Sequence, residues 1–324
     1  MAPLKGLLVV ALFLSAPPLL GQSTVPEELR EPLDNIGFGP SAGPSMELYQ
    51  PLLAQAPRGG IEVVKDLQYG PYSRNLLDVY RPEGIDGAPI LIFVHGGGYL
   101  SGDRDLNEEV YGNVPTFFAR NGLLGVNATY RLATEASWPS GAEDMGFLIE
   151  WVKDHAPEYG GDPEQIFLMG HSAGATHAAS YAFDSRFQPP EGHGLAGVVL
   201  VSGRYRLDWD PDDPGLEGIR RYFGTDPDLY PSRSPITHVP NSEIPALLVL
   251  AEYDMRSLVG TTGELFVELC RRDDGRCPRI LQLRYHNHLS EIHHINTADD
   301  LLGNEILDFV HHGSARQLER SRAR

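Results

Sequence analysis

From residue 61 onward, short apolar runs alternate with stretches in which apolar positions recur every three or four residues. Apolar runs of this length, bounded by Gly, Pro, Asp or Asn, read as strands. They fall at 61–67, 75–80, 89–94, 123–128, 165–169, 195–201, 246–251 and 280–285. The helical period predicts helices at 114–119, 141–155, 173–183, 260–271 and 298–311. Several strands, such as Ile90 to Val94, are apolar without alternation, so both of their faces must be covered. Two early strands followed by a strand-helix alternation predict an α/β fold: a doubly wound, mostly parallel sheet of eight strands.

Two segments break the rhythm. Residues 203–245 hold Pro, Asp and aromatic residues with no clear strand, and irregular inserts of this length serve as lids or binding loops. Residues 22–56 are rich in Pro, Gly and Ala without a sustained period and predict an extended N-terminal arm or linker that either wraps the domain or stays mobile. Ahead of the arm, Lys5 precedes the apolar run 7–14 and then small residues, the pattern of a secretory signal peptide over 1–21. That run is too short to span a bilayer, so the expectation is a secreted or periplasmic protein without a membrane span. A catalytic domain over 57–314 and a charged tail over 315–324 complete the division.

The net charge of −18 gives a surface that repels phosphate backbones and anionic membranes, which sets nucleic acid aside as a partner. Cys270 and Cys277 are the only cysteines; their spacing suits either a small disulfide loop or two free thiols. Neither has a histidine close by in sequence to activate it. Twelve histidines include His293-His294 and His311-His312, read as surface or helix-end residues. No carboxylate cluster has zinc-site spacing, so neither a metal nor a cofactor is expected. The sequence does not define an oligomeric state.

The chemistry concentrates after three strands. Gly170-His171-Ser172-Ala173-Gly174 follows the run 165–169 and opens a small-residue helix. A strand entering a helix through a tight G-x-S-x-G turn is a nucleophile elbow, with Ser172 exposed on a strained backbone. The third strand ends in His95-Gly96-Gly97-Gly98-Tyr99, where consecutive glycines let amides converge on a developing oxyanion. Gly97 and Gly98, with the amide of Ala173, are the expected oxyanion hole, and His95 is expected to pack beneath it. After 246–251 come Glu252 and Asp254, either of which can orient a histidine; Asp254 is favoured. The last strand leads to His286-Asn287-His288, with His288 as the expected base and His286 its competitor. The order Ser172, Asp254, His288 places each group just past the carboxyl end of a strand.

On these residues the chain resembles the α/β-hydrolases of the hormone-sensitive-lipase-like esterase group. The branch it resembles contains feruloyl and acetyl xylan esterases and kynurenine formamidases. The resemblance covers about 46–310. It includes Leu77-Asp78-Val79-Tyr80-Arg81-Pro82, Gly102-Asp103-Arg104, Tyr130-Arg131-Leu132, Trp138-Pro139, Ser202-Gly203 and Ala251-Glu252-Tyr253-Asp254. It implies Asp254 as the acid and His288 as the base. Two departures stand out: Arg204-Tyr205-Arg206-Leu207 where relatives carry Tyr-Asp-Leu, and Ala133-Thr134-Glu135 where they often carry Ala-Pro-Glu.

The expected activity is an exported serine carboxylesterase acting on acetyl, other short acyl, feruloyl or aryl esters, with a small-molecule ester, such as an acylated saccharide, as partner. An arylformamidase opening N-formyl amides shares the machinery, and a noncatalytic ligand-binding protein is the alternative from another class. Tyr99, Tyr205, Trp209 and Tyr222 are candidates for a substrate pocket or for local packing anchors. Asp103, Arg131 and Asp144 are expected in structural ion pairs.

Overall fold

A computed structural model describes residues 25–38, 42–105 and 109–313. The expected signal peptide at 1–21 and the tail at 315–324 lie outside the described residues. Eight strands form one sheet: β1 (Ile61–Gln68), β2 (Leu76–Pro82), β3 (Ala88–Val94), β4 (Leu124–Ala128), β5 (Gly161–His171), β6 (Gly197–Val201), β7 (Ala246–Tyr253) and β8 (Arg279–Asn287). Their order is β1-β2-β4-β3-β5-β6-β7-β8. β2 runs antiparallel to both β1 and β4, and every pairing from β4 through β8 is parallel.

Each expected strand is present within a few residues of its predicted limits. Alternate residues of β3 enter different cores: Ile90, Ile92 and Val94 face one side, Leu91 and Phe93 the other. Burial on both faces is why these strands read as unbroken apolar runs. Among the described residues, ten α-helices accompany the sheet. The first five are α1 (Glu27–Ile36), α2 (Ala42–Leu53), α3 (Asn113–Arg120), α4 (Ser140–His155) and α5 (Ala173–Phe183). The others are α6 (Leu216–Phe223), α7 (Tyr230–Arg233), α8 (Arg256–Arg272), α9 (Ser290–His293) and α10 (Leu301–Asp308).

The N-terminal arm wraps the domain, in helical rather than extended form. It holds α1 and α2, which bury Leu29, Leu33, Tyr49 and Leu53 in the core shared with β8 and α10. Pro32 and Pro51 interrupt the helical pattern in the sequence, and tertiary packing stabilises both helices regardless. Ser45 of α2 hydrogen-bonds the side chain of Asn287, next to His288. The insert 203–245 contains α6 and α7. Its Leu207, Ile219, Tyr222, Phe223 and Tyr230 form a small core with Tyr99 and Ala173. Cys270 and Cys277 form a disulfide across the turn from α8 to β8, with Cα atoms 4.2 Å apart.

Candidate active site

The turn from β5 to α5 brings Ser172 to φ 55° and ψ −120°, a backbone conformation that a side chain occupies only under strain. The flanking glycines are required by space. A Cβ on Gly170 would lie 2.4 Å from the Gly174 carbonyl oxygen, and one on Gly174 would lie 2.4 Å from that of His95. The Ser172 amide donates to the Val201 carbonyl at 2.9 Å, which pins the elbow to the end of β6.

His288 stands across the elbow, just past β8. Its Nε2 is 2.9 Å from Ser172 Oγ, and its Nδ1 is 2.9 Å from Asp254 Oδ1. A carboxylate accepts only, so Nδ1 carries the proton and Nε2 presents its lone pair to the serine hydroxyl. Asp254 and His288 are both buried, and Asp254 also accepts from the Met255 amide at 2.8 Å. The structure thus brings together the three residues singled out from the sequence. The competitors are engaged elsewhere: His286 Nε2 pairs with Asp299 at 3.0 Å, and Glu252 accepts from the Tyr285 amide at 2.7 Å.

Gly97 and Gly98 have φ of 128° and 58°, values that favour glycine. A Cβ on Gly97 would meet the Ser101 carbonyl oxygen at 1.9 Å. The amides of Gly97, Gly98 and Ala173 have no acceptor among the described residues, so they are available to a ligand. His95 lies beneath this loop with Nδ1 2.7 Å from the Gly96 carbonyl oxygen and its ring stacked on Tyr130 at 4.5 Å. Tyr130 donates to the His95 carbonyl at 2.8 Å. Burial lowers His95 from 6.5 to about 4, so the ring is a neutral support.

The aromatic candidates divide. Tyr205 and Tyr222 are packing anchors rather than substrate contacts. Both are fully buried, and their hydroxyls accept from the Gly203 and Gly141 amides. Tyr99 is buried too; it stacks on Tyr222 at 5.2 Å and donates to Thr176 Oγ1 at 3.1 Å. Trp209 is exposed, with Arg220 5.5 Å from its ring centre. Of the ion-pair candidates, Arg131 and Asp144 form a buried pair at 2.8 Å, and Asp103 meets Arg74 at 3.3 Å. His293 and His294 are buried, contrary to the surface reading, because α9 turns inward under the arm.

Sequence reasoning missed Glu291. It sits one turn past His288 with no exposure, accepts from Ser202 Oγ at 2.9 Å and lies 3.7 Å from His288 Nδ1. Its i+3 spacing from the histidine was the available signal. With His171 and His288 it forms a buried group of potential ligand atoms, as do His286, His294 and Asp299. In the second group His286 pairs with Asp299, while His294 Nδ1 lies 3.0 Å from the Ser290 carbonyl oxygen and its Nε2 has no hydrogen-bond partner among the described residues.

The BD-FAE family model matches residues 77–189, from β2 past the Ser172 elbow. LipM of Mycobacterium tuberculosis, a probable carboxylic ester hydrolase, is 36% identical over 132 residues, which is 38% of this chain and 30% of LipM. The esterase LipQ of the same organism is 32% identical over 204 residues, 57% of this chain and 47% of LipQ. The chain thus spans half or less of the length of these curated relatives. A hyperthermophilic esterase from the archaeon Pyrobaculum calidifontis shares the fold, with a TM-score of 0.68 and 23% identity over 88% of this chain and 97% of that one. The chain has the α/β-hydrolase fold, and over part of its length it is similar to carboxylic ester hydrolases.

Proposed function

We propose that this protein is an exported serine carboxylesterase that hydrolyses short-chain acyl, acetyl above all, or feruloyl and other aryl esters. The observation that carries the reading is the Ser172, His288, Asp254 row beside three free amides. Ser172 Oγ attacks the ester carbonyl while His288 Nε2 takes its proton, and Asp254 keeps the imidazole in the tautomer that can do so. The Gly97, Gly98 and Ala173 amides receive the oxyanion, each worth about 3 kcal/mol in the transition state. The imidazolium returns its proton to the leaving alcohol, and water then repeats the attack on the acyl-enzyme.

The apolar cluster of Tyr99, Leu207, Ile219 and Tyr222 around Ala173 fills space beside the oxyanion loop, which favours short or flat acyl groups. Export draws support from the N-terminal pattern at 1–21 and from the Cys270–Cys277 disulfide, a bond that persists in oxidising compartments. The test compares native protein with Ser172→Ala on 4-nitrophenyl esters of increasing chain length, on methyl ferulate and on an N-formyl anilide. Rates that fall with chain length and collapse in the variant support the reading. Turnover of the formanilide alone would assign an arylformamidase, and equal negligible rates throughout would refute hydrolysis.

A further inference from the structure

Glu291 is a carboxyl placed at the centre of the site without a part in the chemistry above. Three strand ends converge on it. Ser202, just after β6, donates to Oε2 at 2.9 Å. Oε1 lies 3.3 Å from Nε2 of His171, the last residue of β5, and 3.7 Å from Nδ1 of His288 beyond β8. His171 Nε2 in turn lies 2.8 Å from the His288 carbonyl oxygen. A carbonyl cannot donate, so His171 carries its proton there and holds the backbone of the histidine facing Ser172.

We propose that Glu291 is a positioning residue for His288, tying the end of β6, through its hydrogen bond with Ser202, to the loop that carries the imidazole, while Oε1 packs against His171 without a hydrogen-bond partner of its own among the described residues. The inference rests on the esterase reading for its kinetic consequence. Burial and the neighbouring Asp254 charge push the Glu291 carboxyl well above the ordinary carboxylate range, and burial keeps His171 neutral. The brace therefore works uncharged. That matters because a second anion 3.7 Å from Nδ1 would compete with Asp254 for the imidazole proton and draw the ring away from Ser172.

The experiment uses the full chain with Glu291→Leu and Glu291→Gln. It reads kcat and KM on 4-nitrophenyl acetate and, without substrate, the low-field Nδ1 proton of His288 by NMR. Leucine fills the space without polar contacts and is expected to lower kcat about 10- to 100-fold with KM within about threefold, because a displaced base slows chemistry more than binding. Its low-field proton broadens or disappears. Glutamine keeps an uncharged polar group of the same shape and restores the resonance and most of kcat, to within about fivefold of native. Native kcat in Glu291→Leu, or Glu291→Gln as slow as leucine while folded, would overturn the proposal. If leucine prevents folding, Ser202→Ala takes its place: a kcat lowered about three- to tenfold at constant KM supports the brace, and an unchanged kcat refutes it. A native protein inactive on esters would sink the esterase reading alone, since the NMR signal still decides whether Glu291 positions the ring.

Discussion

Gly218, in the first turn of α6, rests directly on the carbonyl of Gly98: a Cβ at Gly218 would come within 2.1 Å of that oxygen. The insert is therefore seated on the oxyanion loop through backbone contact, and α6 helps to fix where the Gly97 and Gly98 amides point. Gly218→Ala must push the two apart. The expected result is a fall in kcat of about tenfold or more, since loss of a single oxyanion donor costs 10²–10³ in comparable hydrolases. KM should change by less than about threefold, and steady-state kinetics on a short ester check both. Native kcat would mean that the insert does not set the loop.

The identity of the acid is tested by Asp254→Asn against Glu252→Gln. An amide at 254 accepts poorly from Nδ1–H and favours the wrong imidazole tautomer, so kcat should drop by roughly three to four orders of magnitude. Glu252 supports the β7–β8 loop by accepting from the Tyr285 amide. Its amide variant keeps an acceptor and should retain activity within about threefold. The reverse ranking would move the acid to Glu252.

Stability should fall on mild acidification. Burial lowers His95, His293 and His294 from 6.5 to about 4 and His177 to about 3, and holds His171 well below 6.5. The unfolded chain thus binds more protons than the folded one between about pH 4 and 6.5, and these groups' contribution, complete above 6.5, is lost as pH falls through that window. Glu291, whose folded carboxyl is raised, acts in the opposite sense above pH 4.5 but is a single group. Urea midpoints measured from pH 7 to pH 5 should decline; a flat profile would show that these rings are charged in the folded state.

The disulfide closes a loop far from the chemistry, ahead of β8, whereas His288 lies beyond the other end of that strand. Paired Cys270→Ser and Cys277→Ser substitutions should lower unfolding free energy by about 2.5 kcal/mol, from the loop-closure entropy of so short a segment. Activity at 25 °C should be native. Denaturant unfolding of the two proteins provides the comparison, and an unchanged midpoint would mean that the bond contributes nothing to stability.

How far the sequence carried this picture depended on what each residue's fate depends on. The strands were legible because continuous apolar runs such as 90–94 and 246–251 have few other folds open to them. Ser172, Asp254 and His288 were legible because each follows such a run, and strand ends are where a parallel sheet presents its functional groups. The helices of the arm were not, since Pro32 and Pro51 blur a period that only packing of Leu33 and Tyr49 makes stable. The roles of Tyr205 and Tyr222 were equally hidden. An aromatic residue in an irregular insert lines a pocket or fills a core according to tertiary contacts, and here both hydroxyls are taken by backbone amides. Glu291 was not singled out, because its burial depends on the convergence of three strand ends rather than on any local pattern.

The central claim, that Ser172 is a nucleophile activated by His288, is tested most directly by covalent trapping. Native protein is treated with a fluorophosphonate and its peptides are analysed by mass spectrometry alongside residual esterase activity. The account predicts one adduct, on the peptide carrying Ser172, with activity lost in proportion to labelling and with labelling abolished in His288→Ala. An adduct on another residue, or activity that survives complete labelling of Ser172, would contradict it.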